Sequence, residues 1–380
     1  MIKKFLFFLI FFCVLVLYFY SKNASDKTSI NVYTWGEFIS TGADGEFDVN
    51  AEFTRETGIE VNCSTFQSNE EMYAKLAGGG TDYDVLMPSD YMISKMIKNK
   101  MLAKLNFDNI PNYALVNKEY KNLNFDPENE YSVPYMWGFL GIFYNKKYIK
   151  EKISWNSLWN DQYKGKILML DNSRDAFCIS LIRLGLSVNS AAEEDWRKAA
   201  NELKIQKPLV QGYIMDQIFD KLKKEEAYIA PYYFGNSMPH IFLENSEIEF
   251  SVPEEGTNKF IDSMCIPEES KKKDKAEKYI NFMCQKAVAV ANAKTCGYIP
   301  AQIESENEIL EGKFLEIKNA QIYTGLPDKI NTLSDDLWVD IKSGEKRIFF
   351  ENIILTIMFI VLIVLYFYPL ILKLFKKIIK

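Results

Sequence analysis

Asp262 makes the strongest demand on its surroundings of any residue in this sequence. It sits in the run FIDSMCI at 260–266, an otherwise apolar strand pattern. If that strand is buried, the carboxylate needs a partner, because an ionised group stripped of water without compensation is costly. Other chemistry is missing at the level of motif. The single histidine, His240, follows Met238-Pro239, and no G-x-S-x-G elbow exists around which a triad could form. It reads as a structural or surface residue. Gly78-Gly79-Gly80 is not followed by Lys-Ser or Lys-Thr, so it reads as a helix stop and not as a phosphate loop. Cysteines at 13, 63, 178, 265, 284 and 296 form no C-x-x-C pair and no zinc spacing. Several fall in apolar patterns and read as buried free thiols. No metal, cofactor or enzymatic turnover is expected.

The elements that must position such an acid follow from periodicity. Alternation predicts strands over 30–35, 59–66 and 83–87, with helices from about 46 to Gly58, from a capping box at Ser68-Asn69-Glu70-Glu71 to the glycine triplet, and over 90–98. Strand, helix, strand at this spacing implies right-handed crossovers and a parallel sheet. After a long loop at 106–131 the pattern restarts. Strands are expected over 139–144, 166–170, 227–233, 248–252 and 261–266, and helices over 176–185, 191–203 and 215–224. Helices dominate 272–343. The fold class is therefore α/β, in two units, with the chain crossing between them near Pro134 and again near Phe260. A chain of 380 residues also exceeds the usual single core.

Both ends are apolar. Lys3 and Lys4 precede 16 uncharged residues at 5–20, ending in Tyr18-Phe19-Tyr20. That aromatic finish suits a membrane interface better than a peptidase site, so the segment is expected to be an uncleaved anchor, with a cleaved signal as the alternative. At the other end 21 residues, 352–372, carry no charge and are followed by Lys373, Lys376, Lys377 and Lys380, which predicts a spanning helix. Lysines on the outer flank of each segment place both termini in the cytoplasm and the body outside. Setting aside the six tail lysines from 45 basic residues leaves 39 against 51 acidic ones, a net of −12. An acidic body disfavours nucleic acid and weakly favours cationic ligands.

Several segments resemble the polyamine-binding proteins of spermidine/putrescine ABC uptake systems. They are YTWGEF at 33–38, the stretch 52–76, YDVLMPSDYMISKM at 83–96, YSVPYMWG at 131–138, DNSRDAF at 171–177, IDSMCIP at 261–267, and INFM followed by CGYIPA at 296–301. They keep the family's order and spacing from about 30 to 344. The resemblance implies a two-lobed type II periplasmic-binding-protein fold, here flanked by N- and C-terminal transmembrane helices. Its divisions would be an anchor or signal at 1–21 and a linker at 22–29. One lobe would comprise 30–135 plus 261–308 and the other 136–260 plus 309–344. A transmembrane helix at 349–372 and a basic tail at 373–380 complete it. The implied partners are putrescine or spermidine, ABC permease subunits and the membrane.

A polyamine is an aliphatic stem bearing ammonium groups, so it needs flat apolar walls and carboxylate, hydroxyl or aromatic partners. Carried over position by position, Trp35 resembles the first stacking residue and Phe38 a wall residue where the family often has tyrosine. Ser89 and Tyr91 match a loop that contacts an ammonium and the stem, with a helix N-cap as a compatible role for Ser89. Asp175 resembles a carboxylate from the second lobe, whereas Asn172 replaces a family acid and tilts the expectation slightly toward a diamine. Phe260 and Tyr298 match wall positions, and Asp262 the principal carboxylate. Tyr233 stands for a family tryptophan, with Tyr232 as the competing alignment. The family's C-terminal glutamine has no secure counterpart in 326–336. The alternatives are the same fold holding a different small solute, or a membrane-tethered ligand sensor.

Overall fold

The computed structural model describes residues 29–45, 47–215, 217–234, 247–310 and 317–343. The two apolar end segments, the basic tail, His240 and Cys13 lie outside the described residues. Among the described residues, no helix is long and apolar enough to cross a membrane.

The chain opens with β1 (Ser29–Trp35), α1 (Val49–Thr57), β2 (Glu60–Phe66), α2 (Asn69–Ala77), β3 (Val85–Leu86) and α3 (Asp90–Lys98). β1 begins one residue inside the stretch read as linker. It pairs in parallel with β2 and β3, and most of its residues are buried on both faces, as a strand covered by helices on either side requires. Local chemistry sets the helix ends. Asp48 accepts the Ala51 N–H at 2.9 Å to open α1, and Gly58 closes it at φ 72°. Ser68 accepts the Glu71 N–H at 3.1 Å to open α2. Glu71 reaches back to the Gln67 N–H at 2.9 Å, so the reciprocal bond falls one residue earlier than the expected capping box.

The crossing between the two units differs from the sequence expectation. The strand expected over 139–144 begins at Ser132 and runs through the crossing at Pro134 as one 14-residue strand, β4 (Ser132–Asn145). Pro134 lies beside a register shift between Pro134 and Met136, the kind of irregularity at which a strand tolerates proline. The second unit then contributes β5 (Ile167–Leu170), α4 (Ser173–Arg183), α5 (Glu193–Gln206), β6 (Val210–Ile214), α6 (Gln217–Lys223), β7 (Ile229–Tyr233) and β8 (Ile248–Ser251). The return crossing is β9 (Thr257–Cys265), which starts well before the expected 261. Its partner is the first half of β4, antiparallel, with Met136 opposite Asp262, while the second half of β4 pairs with β7 and β8. The remainder is α7 (Lys273–Met283), α8 (Lys286–Cys296), β10 (Ile299–Pro300), α9 (Ile303–Ile309), β11 (Ala320–Ile322) and α10 (Asp328–Ser343). The strands β10 and β11 fall within the stretch 272–343, which sequence alone reads as dominated by helices.

Two buried clusters flank the paired long strands. One gathers Ile30, Phe53, Met92, Met136, Phe139 and Met264. The other gathers Leu140, Trp155, Phe177, Trp196 and Ile330. Along β4 the division falls between Phe139 and Leu140. Near the C-terminus Ile322 packs on the first cluster and Tyr323 belongs to the second. Burying side chains of this size contributes about 1.5–3 kcal/mol each. The result is an α/β molecule with two lobes joined by β4 and β9.

Candidate functional site

Between the lobes lies a cavity of about 860 Å³. Every site residue named from the sequence lines it: Trp35, Phe38, Ser89, Tyr91, Phe260, Asp262 and Tyr298 around the first lobe and the crossing strand, with Asn172, Asp175 and Tyr233 from the second lobe. The aromatic groups form a continuous edge-to-face run. Phe38 and Tyr298 are 5.9 Å apart, Tyr298 and Phe260 5.6 Å, and Phe260 and Tyr233 5.3 Å, with interplanar angles from 71° to 88°. Trp35 packs on Phe66 at 4.5 Å. Phe260 lies across Gly138 so closely that a Cβ there would stand 2.5 Å from its ring, so the glycine on β4 permits the ring position on β9.

Asp262 is held by β9 on the floor of this cavity and is 4% exposed. Its Oδ1 has no hydrogen-bond partner within the protein. Burial pushes its carboxyl up to about 7; the Ser89 side chain opposes that shift through a hydrogen bond and the charge of Asp175 adds to it. Ser89 precedes α3 but makes no side-chain cap bond. Its Oγ instead accepts from Asn69 Nδ2 at 3.1 Å, its N–H donates to Asn69 Oδ1 at 3.2 Å, and Asn69 Nδ2 also donates to the Tyr91 hydroxyl at 3.1 Å. The capped start of α2 thus fixes both loop residues. The Tyr91 hydroxyl in turn donates to Glu70 Oε1 at 2.9 Å. A third acid, Asp90, is fully buried beside them; its oxygens accept the Tyr91 and Ile261 N–H groups, and burial raises its carboxyl well above the ordinary value.

Asp175 lies in the first turn of α4 and has a different setting. Tyr323 donates to its Oδ1 at 2.9 Å and Tyr233 donates to its Oδ2. Burial pushes this carboxyl up to about 6, and the two tyrosines and Arg174 hold it from rising further. The amide of Asn172 is engaged locally: its Oδ1 accepts the Asp175 N–H at 3.3 Å as the helix cap, and its Nδ2 donates to the Tyr233 hydroxyl at 3.4 Å. Tyr232 lines the cavity too but packs on Phe219 at 4.6 Å, whereas Tyr233 is the one bonded to Asp175.

Sequence reasoning missed other lining residues, among them Asn69, Glu37, Glu70, Asn258, Tyr323 and Trp338. Asn258 is 1% exposed and neither of its amide atoms has a protein partner, which marks it as a buried polar group open to a guest or water. Its position in an alternating strand, TNKFID, was the available signal. Tyr323 and Trp338 carried none, because only the tertiary fold returns the C-terminal segment to the second lobe. Among the described residues no cluster of His, Cys, Asp and Glu has the makings of a metal site.

Residues 82–323 match the family described as bacterial extracellular solute-binding protein. The chain belongs to this family. It is 34% identical over 279 residues to the spermidine/putrescine-binding periplasmic protein of Escherichia coli K12, covering 73% of this chain and 78% of that one. It is also 26% identical over 353 residues to the putrescine-binding periplasmic protein SpuD of Pseudomonas aeruginosa, covering 85% and 94%. Among solved structures, the spermidine/putrescine ABC transporter substrate-binding protein PotD of Streptococcus pneumoniae superposes with a TM-score of 0.70 at 30% identity, covering 83% of this chain and 98% of the other. The two-lobed periplasmic-binding-protein fold and an extracytoplasmic setting follow from that membership. Proteins of this family capture solutes without transforming them, so the chain is a binding protein and not an enzyme.

Proposed function

We propose that this protein captures a small polyamine, putrescine or spermidine, in the cleft between its lobes and delivers it to the permease of an ABC uptake transporter. The observation that carries the reading is Asp262: a nearly fully buried carboxylate with one oxygen unpartnered, set among aromatic rings. No lysine or arginine contacts it among the described residues. A buried acid in that state gains from a cationic guest. A cation bearing an aliphatic stem also matches the apolar run from Phe38 to Tyr233. The relatives' names point the same way.

In this reading the lobes, 30–135 plus 261–308 and 136–260 plus 309–344, close on the ligand about β4 and β9. The guest favours the closed form because only there does it touch both Asp262 and Asp175. Ammonium groups enter as cations, so the carboxylates must be ionised in the complex. Closure presents a composite surface to the permease. The apolar segments 1–21 and 349–372 tether the body outside the membrane with both termini in the cytoplasm, raising the receptor's local concentration at its transporter.

Titration calorimetry of the full-length chain with putrescine and with spermidine tests the proposal. At least one amine is expected to bind with Kd well below about 1 mM. Failure of both to reach that affinity ends the polyamine reading.

A further inference from the structure

One cation already sits in the wall of the cleft. Lys342, near the end of α10, places its Nζ 2.7 Å from Asp171 Oδ1 and 5.4 Å from the centre of the Trp338 ring. All three side chains line the interlobe cavity. A carboxylate on one side and an indole face on the other is what the aliphatic ammonium of a free polyamine seeks. We propose that Lys342 is a tethered surrogate for a ligand ammonium: it fills the cation subsite made by Asp171 and Trp338, and so restricts the cleft to a diamine such as putrescine in preference to the triamine spermidine. The inference rests on the polyamine reading and deepens it.

The arrangement of acids supports this assignment. Two nearly fully buried carboxylates border the cavity, Asp262 and Asp175, one for each end of a diamine. Beside Asp175, Asn172 supplies no charge and its amide is engaged in the cap and with Tyr233. The next acid along that wall, Asp171, is the one Lys342 neutralises, and Lys223 lines the same wall. Glu37 and Glu70 face the cavity from the other lobe but are exposed, where water screens a third ammonium and the gain is small. The Asp171 and Lys342 side chains are each 40% exposed, so the pair is not strong in itself. Tethering holds it: a lysine on the adjoining helix is present at an effective concentration far above that of any free amine.

Calorimetry on the full-length wild type, Lys342→Gln, Lys342→Met and Lys342→Arg, each with both amines, tests the idea. The wild type is expected to bind putrescine about tenfold or more tighter than spermidine. Removing the charge with Gln or Met should shift the affinity ratio toward spermidine by about tenfold, while Arg, which keeps a cation opposite Asp171, should leave the ratio near wild type. Adding Asp171→Asn to Lys342→Gln should abolish the shift, which a merely structural lysine would not predict. Spermidine binding to the wild type as tightly as putrescine, or a ratio unmoved by both Gln and Met, overturns the inference and leaves the polyamine reading intact. Binding of neither amine overturns both.

Discussion

The two lobes each bring one buried carboxylate to the cleft, and they treat it in opposite ways. Asp175, on the second lobe, is satisfied in advance: two tyrosine hydroxyls donate to it, and a helix N-terminus holds it. Asp262, on the strand shared by the lobes, keeps an oxygen unpartnered and is raised to about 7, against about 6 for Asp175. The contrast separates two ways of tolerating a buried acid. One stabilises the acid within the protein and leaves it less to gain from a guest. The other leaves the folded protein under electrostatic stress that a guest relieves, so that the binding energy and the instability of the empty state have one source.

Removing each charge tests that contrast most strongly. Asp262→Asn should weaken polyamine binding by about 30-fold or more, the range for truncating one partner of a desolvated charge pair at about 2–5 kcal/mol or above. The same change should raise the thermal midpoint of the empty protein at pH 8, because a stressed charge is gone. Asp175→Asn should also weaken binding but raise the midpoint much less, since removing its buried charge is offset by about 1–3 kcal/mol as two tyrosine donors lose an ionised acceptor. Calorimetry together with thermal melts reads both. If the two variants raise the midpoint equally, the lobes do not differ in the way described.

The pH dependence is the next largest effect, and its sign follows from the raised carboxyls. Between about pH 4, where a free aspartate titrates, and about 7, the folded empty protein keeps a proton on Asp262 that the unfolded chain has released. Stability of the empty form therefore falls as pH rises through that window and levels off above it, by about 4 kcal/mol if Asp262 acted alone. Asp175 adds a smaller loss between about 4 and 6. Binding moves the other way, because an ammonium guest pairs with the ionised form and is itself protonated well beyond pH 8. Affinity should rise from pH 5.5 to 8 with proton release near neutrality, measured as a dependence of the calorimetric heat on the buffer's ionisation enthalpy. Heats independent of buffer would show that Asp262 is already ionised in the empty cleft.

Much of the first lobe was legible because its signals are local. Ser68 and Gly58 mark helix ends by chemistry that acts within four residues, and β1, β2 and β3 stand near their expected positions. The crossing strands were not legible for the same reason in reverse. Only 139–144 of β4 was read as strand, because what admits its earlier residues is distant: a register shift against β9 at Pro134 and the Phe260 ring over Gly138, with the Phe250 ring likewise over Gly141. The short strands β10 and β11 are defined by pairing with β4 and β9 and have no periodicity of their own. In the site, Asp262 announced itself as an acid in an apolar run. The partners that tell it apart from Asp175, namely Asn69, Tyr323 and the engaged amide of Asn172, arise only when distant segments meet.

The smallest effect concerns Tyr233, whose hydroxyl donates to Asp175 and accepts from Asn172. Tyr233→Phe keeps the ring that packs on Phe260 at 5.3 Å but removes a donor that stabilises the ionised acid. Stability should change by about 1 kcal/mol or less, since Tyr323 still donates to the other oxygen. The Asp175 carboxyl should titrate higher, so the affinity loss should be only a few-fold at pH 8 and deepen toward pH 6, where the wild-type acid is still partly ionised and the variant's is largely protonated. An affinity loss of equal size at every pH would instead make Tyr233 a wall residue only. It would also show that Tyr323 alone prepares Asp175, narrowing the difference between the lobes to one hydrogen bond.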